Sequence, residues 1–319
     1  MSGYWSAAIT KNEVGTPSND IVSGYNEMVL GMSGTRKLLI MLSVFTAYFV
    51  LSGPVSAGSG KIKIFVSILP QAYFVERVGG AHVDVEVLVG PGKSPATYEP
   101  TPKQMAALGR ALVYFSIGTP FEKGFLGKVA AIHKDLQIVD TRQGVALRYF
   151  KDTGDRQSPD PHIWLDPERV KIQAATICDA LSRLAPQYAE AFDKNLKTFQ
   201  ADLDRIDEKI SESLASLKGS RFYVFHPAFG YFGDAYGLTQ VAVEIEGKSP
   251  SPKQLSKLIE RAKRDGVRVV FVQPQYARRN AETIAKAIGG AVVPINPLPR
   301  DYLGSLEEMA AVFKRALRD

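Results

Sequence analysis

One long amphipathic stretch near the middle of the chain constrains the fold more than any other feature. From Pro186 to Leu217, apolar residues recur at spacings of three and four, which is the period of a single helix face. The stripe consists of Tyr188, Phe192, Leu196, Phe199, Leu203, Ile206, Ile210, Leu214 and Leu217. Pro186 suits the first turn of a helix and Gly219 suits its end. The spacing therefore predicts one rod, about 45 Å long at the usual helical rise.

Short apolar runs alternate with helical patterns on both sides of this rod. The predicted strands are Ile62–Ile68, Val83–Val89, Ala111–Ser116 and Leu136–Asp140 before it, and Phe222–Phe225, Gln240–Ile245, Val267–Val272 and Ala291–Ile295 after it. The other predicted helices are 101–108, 121–132, 167–184, 252–264 and 281–288. Strands that alternate with helices form parallel sheets whose faces the helices cover.

The predicted fold class is therefore α/β, with two lobes joined by one long rigid helix. Each lobe is expected to contain a four-stranded, mostly parallel sheet flanked by helices. The expected boundaries are 58–185 for the N-terminal lobe, 186–218 for the linking helix and 219–319 for the C-terminal lobe.

The region before these lobes has the pattern of an export signal. An apolar run at 38–51, LLIMLSVFTAYFVL, follows Arg36 and Lys37 and precedes a small-x-small site that ends at Ala57. This order is typical of a Sec-type signal peptide, and the run is shorter than the ~20 residues that span a bilayer. Residues 1–57 are therefore interpreted as an upstream extension and a signal peptide, which predicts a periplasmic location.

Composition argues against several classes of function. The formal net charge is +6, but Lys and Arg are scattered without a basic stripe, so nucleic-acid binding is not expected. The single cysteine, Cys178, cannot form an internal disulfide. The sequence contains no HExxH, no GxSxG and no phosphate-cradling loop. We therefore do not expect an enzyme.

Two of the four histidines lie in loops that suit a metal site. His162 stands between two Asp-Pro turns in DPHIWLDP at 160–167, just before a predicted helix. His226 follows a predicted strand, and ligands of parallel α/β sheets bind at the carboxyl ends of strands. Since imidazole is a common ligand of zinc and other transition metals, one histidine from each lobe predicts a metal site between the lobes. His82 and His133 are expected at the surface.

A third loop, PATYEP at 95–100, lies between a predicted strand and a predicted helix. Glu99 in this loop is expected either to bind a metal or to stabilise the start of the helix, where a carboxylate is favourable.

Taken together, these loops resemble the metal-specific solute-binding proteins of ABC importers, which serve zinc, manganese or iron uptake. The resemblance covers about residues 60–319. It rests on YEPTP at 98–102, DPHIWLDP at 160–167, HPAFGYF at 226–232 and PSP at 250–252 with Leu255. It implies two α/β lobes on one rigid helix. It also implies a monomer that captures a divalent metal in the periplasm and delivers it to the membrane permease of an ABC importer.

The resemblance further implies a metal site with one position in each of four loops. His162 and His226 match the second and third positions, and zinc members typically have His at the third. The first position, usually His, is Ala96, and the fourth, usually Asp, is Asn296. An amide offers only a neutral oxygen, and two histidines are fewer than a closed zinc site requires. Candidates that could complete the site are Glu99, Glu246, Gln273 and water.

Three functions remain open on this reading. The first is delivery of a metal, with zinc expected and manganese or iron as alternatives. The second is a metallohydrolase that activates water on a metal near His162 and His226. The third keeps the fold but changes the ligand, to a metal chelate or to a degenerate metal site.

Overall fold

The computed structural model describes residues 60–150, 158–244, 250–276 and 278–318, and the segment from Gly60 onward forms one compact unit. The predicted extension and signal peptide lie outside the described residues. In chain order the helices and strands are β1 (Ile62–Ile68), α1 (Leu69–Gly79), β2 (Val83–Val89), α2 (Pro102–Leu108), β3 (Val113–Ser116), α3 (Pro120–Ile132), β4 (Gln137–Asp140), α4 (Pro167–Leu184), α5 (Ala189–Leu214), β5 (Arg221–Val224), α6 (Gly230–Tyr236), β6 (Thr239–Ala242), α7 (Pro252–Arg264), β7 (Val269–Val272), α8 (Arg279–Ile288), β8 (Ala291–Pro294) and α9 (Tyr302–Arg318).

The two sheets have the same topology. The strand orders are β2-β1-β3-β4 and β6-β5-β7-β8, and every strand pair is parallel. The predicted fold class is confirmed, although the sheets are entirely rather than mostly parallel. In each sheet the connections change direction between the first and third strands of the lobe. In open α/β sheets, this switch point at the carboxyl ends of the strands is where ligands bind.

The same capping motif begins one helix in each lobe. Thr101-Pro102-Lys103-Gln104 begins α2, and the matching Ser-Pro-Lys-Gln at 251–254 begins α7, each after the second strand of its lobe. In α2, Gln104 N donates to Thr101 Oγ1 at 3.3 Å, and Thr101 N donates to Gln104 Oε1 at 3.0 Å. This reciprocal capping satisfies backbone donors that the helix itself leaves free, while proline presets the backbone of the first turn.

The predicted linking helix is confirmed. Short 3₁₀ turns at Pro186–Tyr188 and Ala215–Leu217 continue α5 at its two ends. Its buried side chains are Phe192, Phe199, Leu203, Ile206, Ile210 and Leu214, all of which belong to the predicted stripe. The helix packs against α1 and α4 of the N-terminal lobe and against α9. It is therefore supported along its length by neighbouring helices.

Three helices, α1, α6 and α9, were not predicted. Of these, α9 forms a second connection between the lobes. Tyr302, in its first turn, packs edge-on against Phe74 of α1 in the N-terminal lobe, with ring centroids 4.8 Å apart. Phe313, near its end, packs against Phe222 and Phe271 of the C-terminal sheet, each at 4.8 Å. The final helix, assigned to the C-terminal lobe alone, therefore contacts both lobes.

Within the described part of the chain, no helix combines the length and the apolar character needed to cross a bilayer.

Candidate metal centre

A cavity of about 90 Å³ lies among loops from both lobes, near the carboxyl ends of the two sheets. The N-terminal lobe contributes residues that include Ala96, Thr119 and His162. The C-terminal lobe contributes His226, Gln275 and Tyr276, together with Pro297 and Leu298. The predicted pair of histidines therefore meets in one cavity, as the sequence suggests.

His162 is positioned by its own loop. Asp160 Oδ1 contacts the Nδ1 atom of His162 at 2.7 Å and accepts from His162 N at 3.0 Å. Asp160 is fully buried, and its Oδ2 atom accepts from Arg148 Nη1 at 3.2 Å. Trp164, two residues further on, donates from Nε1 to the carbonyl oxygen of Pro297 at 2.6 Å. The Asp160 contact engages Nδ1, so Nε2 is the ring nitrogen left for a metal.

His226 is positioned by residues distant in sequence. Its Nδ1 atom lies 3.1 Å from Glu244 Oε2, just beyond the end of β6. Gln273, just beyond β7, accepts from His226 N at 3.1 Å and donates to its carbonyl oxygen at 2.6 Å. The Tyr276 ring stacks on the imidazole with centroids 4.7 Å apart. Glu244 and Tyr276 hold the ring and Gln273 holds the backbone, which again leaves Nε2 for a ligand.

The separation of the two imidazoles suits a shared metal ion. Their ring centroids are 5.2 Å apart and the ring planes are inclined by 71°. Two imidazoles that bind one tetrahedral Zn²⁺ through nitrogens at about 2.1 Å place their centroids about 5 Å apart. The two rings could therefore accept one such ion with little rearrangement.

Electrostatics keep His226 in the form that binds metals. Burial lowers the pKa of its imidazole below the ordinary value, and the charge of His162 acts in the same direction, whereas the hydrogen bond to Glu244 opposes both. Only neutral imidazole can bind a metal ion. A lowered pKa therefore extends the pH range in which this nitrogen is available.

The N-terminal wall of the cavity depends on a buried carboxylate. Glu122, in the first turn of α3, accepts hydrogen bonds from the backbone N–H groups of Ile117, Gly118 and Thr119, at 3.1, 2.5 and 3.1 Å. Burial raises the pKa of this carboxyl group, and the hydrogen bonds that it accepts oppose the rise. These bonds fix the turn that brings Thr119 and Pro120 to the cavity.

The other predicted ligands occupy different positions. Glu99 is exposed on the third loop and is not among the residues that line the cavity. Asn296 is also exposed, and its Oδ1 atom accepts from Leu298 N at 3.1 Å and from Gln275 Nε2 at 3.3 Å. Gln273 uses both side-chain polar atoms to hold the backbone of His226 and is not among the residues that line the cavity. Glu246 lies outside the described residues.

Several residues of the site were not recognised from sequence. Asp160, Glu244, Gln275 and Tyr276 are all adjacent to the histidines or line the cavity. Glu244 and Gln275 each follow a strand of the C-terminal sheet, a position that could have indicated them. Within the described ranges, no group of three His, Cys, Asp or Glu side chains could hold a metal ion.

The remaining histidines, His82 and His133, were both expected at the surface. His82 is half-buried, and its ring stacks on Tyr188 at the start of the linking helix with centroids 3.8 Å apart. His133 is also half-buried and caps the end of α3. Neither lines the cavity.

With this geometry established, comparison with known proteins identifies the family. The model of the family described as zinc-uptake complex component A, periplasmic, matches residues 64–316. The chain belongs to this family, whose members are substrate-binding components of metal transport.

Individual relatives agree with that assignment. The zinc-binding protein AdcA of Streptococcus pyogenes is 26% identical in an alignment over 288 residues that covers 82% of this chain and 56% of the relative. A putative metal-binding protein of Chlamydia trachomatis is 29% identical over 259 residues, covering 80% of this chain and 91% of that protein. The chain thus spans little more than half the length of the AdcA relatives that it matches.

Solved structures show the same fold. The crystal structure of ZnuA aligns with a TM-score of 0.77 and 38% identity, covering 81% of this chain and 99% of that chain. A deletion mutant of ZnuA with zinc bound aligns with the same TM-score and identity.

Proposed function

We propose that this protein captures a divalent transition metal, zinc above all, and delivers it to the membrane permease of an ABC importer. The observation that carries the proposal is the pair His162 and His226, two imidazoles 5.2 Å apart, each with Nδ1 held by a carboxylate. Carboxylate–imidazole pairs of this kind fix the tautomer and the ring orientation of zinc ligands. The names of the relatives, zinc-binding protein and ZnuA, support zinc as the metal.

The altered-ligand alternative keeps this fold but binds a metal chelate or has a degenerate metal site. Calorimetry with zinc, with manganese and with a chelator control separates this alternative from capture of the free ion.

The proposal also includes the location and the assembly of the protein. We infer that residues 1–57 direct export to the periplasm and that the protein acts there as a monomer. The proposed divisions at 58–185, 186–218 and 219–319 place one of the two histidines in each lobe. A binding component of this kind has no catalytic role, and the metallohydrolase alternative predicts turnover of ester or phosphate substrates by the zinc-loaded protein.

Zinc titration of histidine variants tests the proposal directly. We expect His226→Ala and His162→Ala each to weaken zinc binding by at least about 100-fold, because each removes a ligand whose outer partner alone is typically worth about 10- to 100-fold. His133→Ala, which removes a histidine outside the cavity, is the matched control and should bind zinc as the parent does. Competition against a chromophoric chelator measures all three. Unchanged affinity in His226→Ala would show that the site lies elsewhere.

A further inference from the structure

The two histidines leave a zinc ion short of ligands, and two residues that line the cavity, Thr119 and Gln275, have buried side-chain oxygens without a hydrogen-bond partner among the described residues. Of the two, the amide carbonyl of Gln275 can only accept, whereas the Thr119 hydroxyl can also donate. Gln275 lines the cavity beside Tyr276. Its Oε1 atom is buried and has no hydrogen-bond partner among the described residues. A buried acceptor without a donor is unfavourable, because the group has lost its hydrogen bonds to water. An acceptor left unsatisfied on a residue that lines a metal cavity is therefore one that a bound cation could satisfy.

The hydrogen bonds around Asn296 establish that this unused atom is the oxygen of the Gln275 amide. The backbone N–H of Leu298 can only donate, so the Asn296 atom that it contacts at 3.1 Å must be the carbonyl oxygen. The same oxygen lies 3.3 Å from the Gln275 amide, so the Gln275 atom facing it must be the NH₂ group. The remaining atom of the Gln275 amide is therefore the carbonyl oxygen, a possible metal ligand.

We propose that Gln275 supplies the third protein donor to the metal through its side-chain carbonyl oxygen, and that Asn296 holds Gln275 in the orientation that this requires. The inference rests on the proposed function. It explains how a chain with Ala96 and Asn296 at two expected ligand positions still forms a site. Asn296 acts indirectly, since both hydrogen bonds to its Oδ1 atom are already made within the protein.

The proposed donor set has a clear chemical consequence. Two imidazoles and one amide oxygen are all neutral, so the charge of the ion is compensated only by Asp160 and Glu244, which contact the imidazoles from behind. Nitrogen-rich sites with a single oxygen suit zinc, whereas manganese prefers oxygen donors. Water is then left to complete a tetrahedral arrangement.

Zinc and cobalt binding by Gln275 variants tests the inference. We expect Gln275→Leu to lower zinc affinity by about 10- to 100-fold, as loss of a metal-site residue typically does. The visible absorption bands of bound Co²⁺ should change in the same variant, because they report the ligands of the ion and a purely structural role would leave them unaltered. Gln187→Leu, at an exposed glutamine beside the linking helix, is the control and should match the parent in both measurements.

Two further variants make the outcome decisive. Gln275→Ala repeats the test with a side chain that cannot overfill the cavity. Asn296→Ala leaves Gln275 in place but frees it to rotate, so we expect a smaller loss of affinity. The double variant Gln275→Leu/Asn296→Ala should bind no more weakly than Gln275→Leu, because the two residues act through one interaction.

The results also separate this inference from the proposed function. If His226→Ala loses zinc while Gln275→Leu and Gln275→Ala keep parental affinity and an unaltered Co²⁺ spectrum, Gln275 is not a ligand and the proposed function stands. If His226→Ala binds zinc as the parent does, the proposed function fails and this inference fails with it.

Discussion

The two histidines of the cavity are held in contrasting ways. His162 depends on its own loop, because Asp160, two residues earlier, contacts both its backbone N–H and its ring. His226 depends on the sheet, because Glu244 and Gln273 reach it from beyond the ends of the strands on either side of β5. One ligand is therefore positioned by local sequence and the other by the pairing of strands.

This contrast extends to the surroundings of each carboxylate. Asp160 is fully buried and also accepts from Arg148, which itself contacts Asp234 of α6 in the other lobe at 3.0 Å. The side chain of Glu244 has His226 as its described hydrogen-bond partner. Asp160 therefore makes more side-chain interactions than Glu244 does, so substitution of Asp160 should disturb the site more.

Replacing the carboxylate behind each histidine by its amide should produce the largest difference in zinc affinity between the two sides of the site. We expect Asp160→Asn to lower zinc affinity by up to about 100-fold and Glu244→Gln by about 10-fold, the range typical of partners that orient metal ligands. Asp160→Asn also leaves the Arg148 guanidinium without its buried partner. Chelator competition measures both variants under one set of conditions. A larger loss in Glu244→Gln would reverse the proposed ranking.

Adding a histidine at the edge of the cavity should strengthen zinc binding rather than weaken it. Ala96 lines the cavity on the N-terminal side, so Ala96→His would add an imidazole beside the locally held ligand. We expect zinc affinity to rise about 10-fold as the ion gains a protein ligand in place of water. Lys93→His, at an exposed position of the same loop, is the control. Equal affinity in Ala96→His and the parent would mean that this loop holds the new ring away from the ion.

A glycine on α6 offers a way to disturb only the His162 side. A Cβ atom at Gly230 would lie 1.5 Å from Arg148 Nη1 and 2.8 Å from Asp160 Oδ2. Gly230→Ala should therefore displace Arg148, lower the free energy of unfolding by about 1–3 kcal/mol and weaken zinc binding by a few-fold. Thermal and chemical denaturation of the apo protein measure the stability change.

Gly127→Ala in α3 provides the matched control, because a Cβ atom there meets nothing within 4 Å. Alanine is the better helix former, so this variant should be as stable as the parent or slightly more so. Equal stability of Gly230→Ala and Gly127→Ala would show that Arg148 can move without cost.

The smallest expected effect is on the protonation of His226. Its lowered pKa means that the unfolded chain binds this proton more readily than the native protein does. This contribution to stability is therefore fully present above pH about 6.5, the ordinary value, and is lost as the pH falls through the lower native pKa. NMR titration of the apo protein should place the His226 midpoint below 6.5. Glu244→Gln should lower it further, because Glu244 raises the pKa; a higher midpoint in that variant would contradict this account.

Adjacent residues were sufficient to predict much of this protein. The apolar stripe of the linking helix, the alternation of strands and helices, and the two loops carrying His162 and His226 all follow from periodicity and turn-forming residues. The helix α9 was not predicted, although Tyr302, Leu306, Met309 and Phe313 recur in it at helical spacing. These features depend on residues within a few positions of one another, so a sequence displays them directly.

The composition of the metal site was decided by the tertiary structure. Sequence alone could not show that Gln273 clamps the backbone of His226, that Glu244 supports its ring, or that Asn296 turns away to hold Gln275. Each of these contacts joins residues that follow different strands. The strand order β6-β5-β7-β8 brings them together, and that order is set by pairing between distant segments rather than by any local pattern.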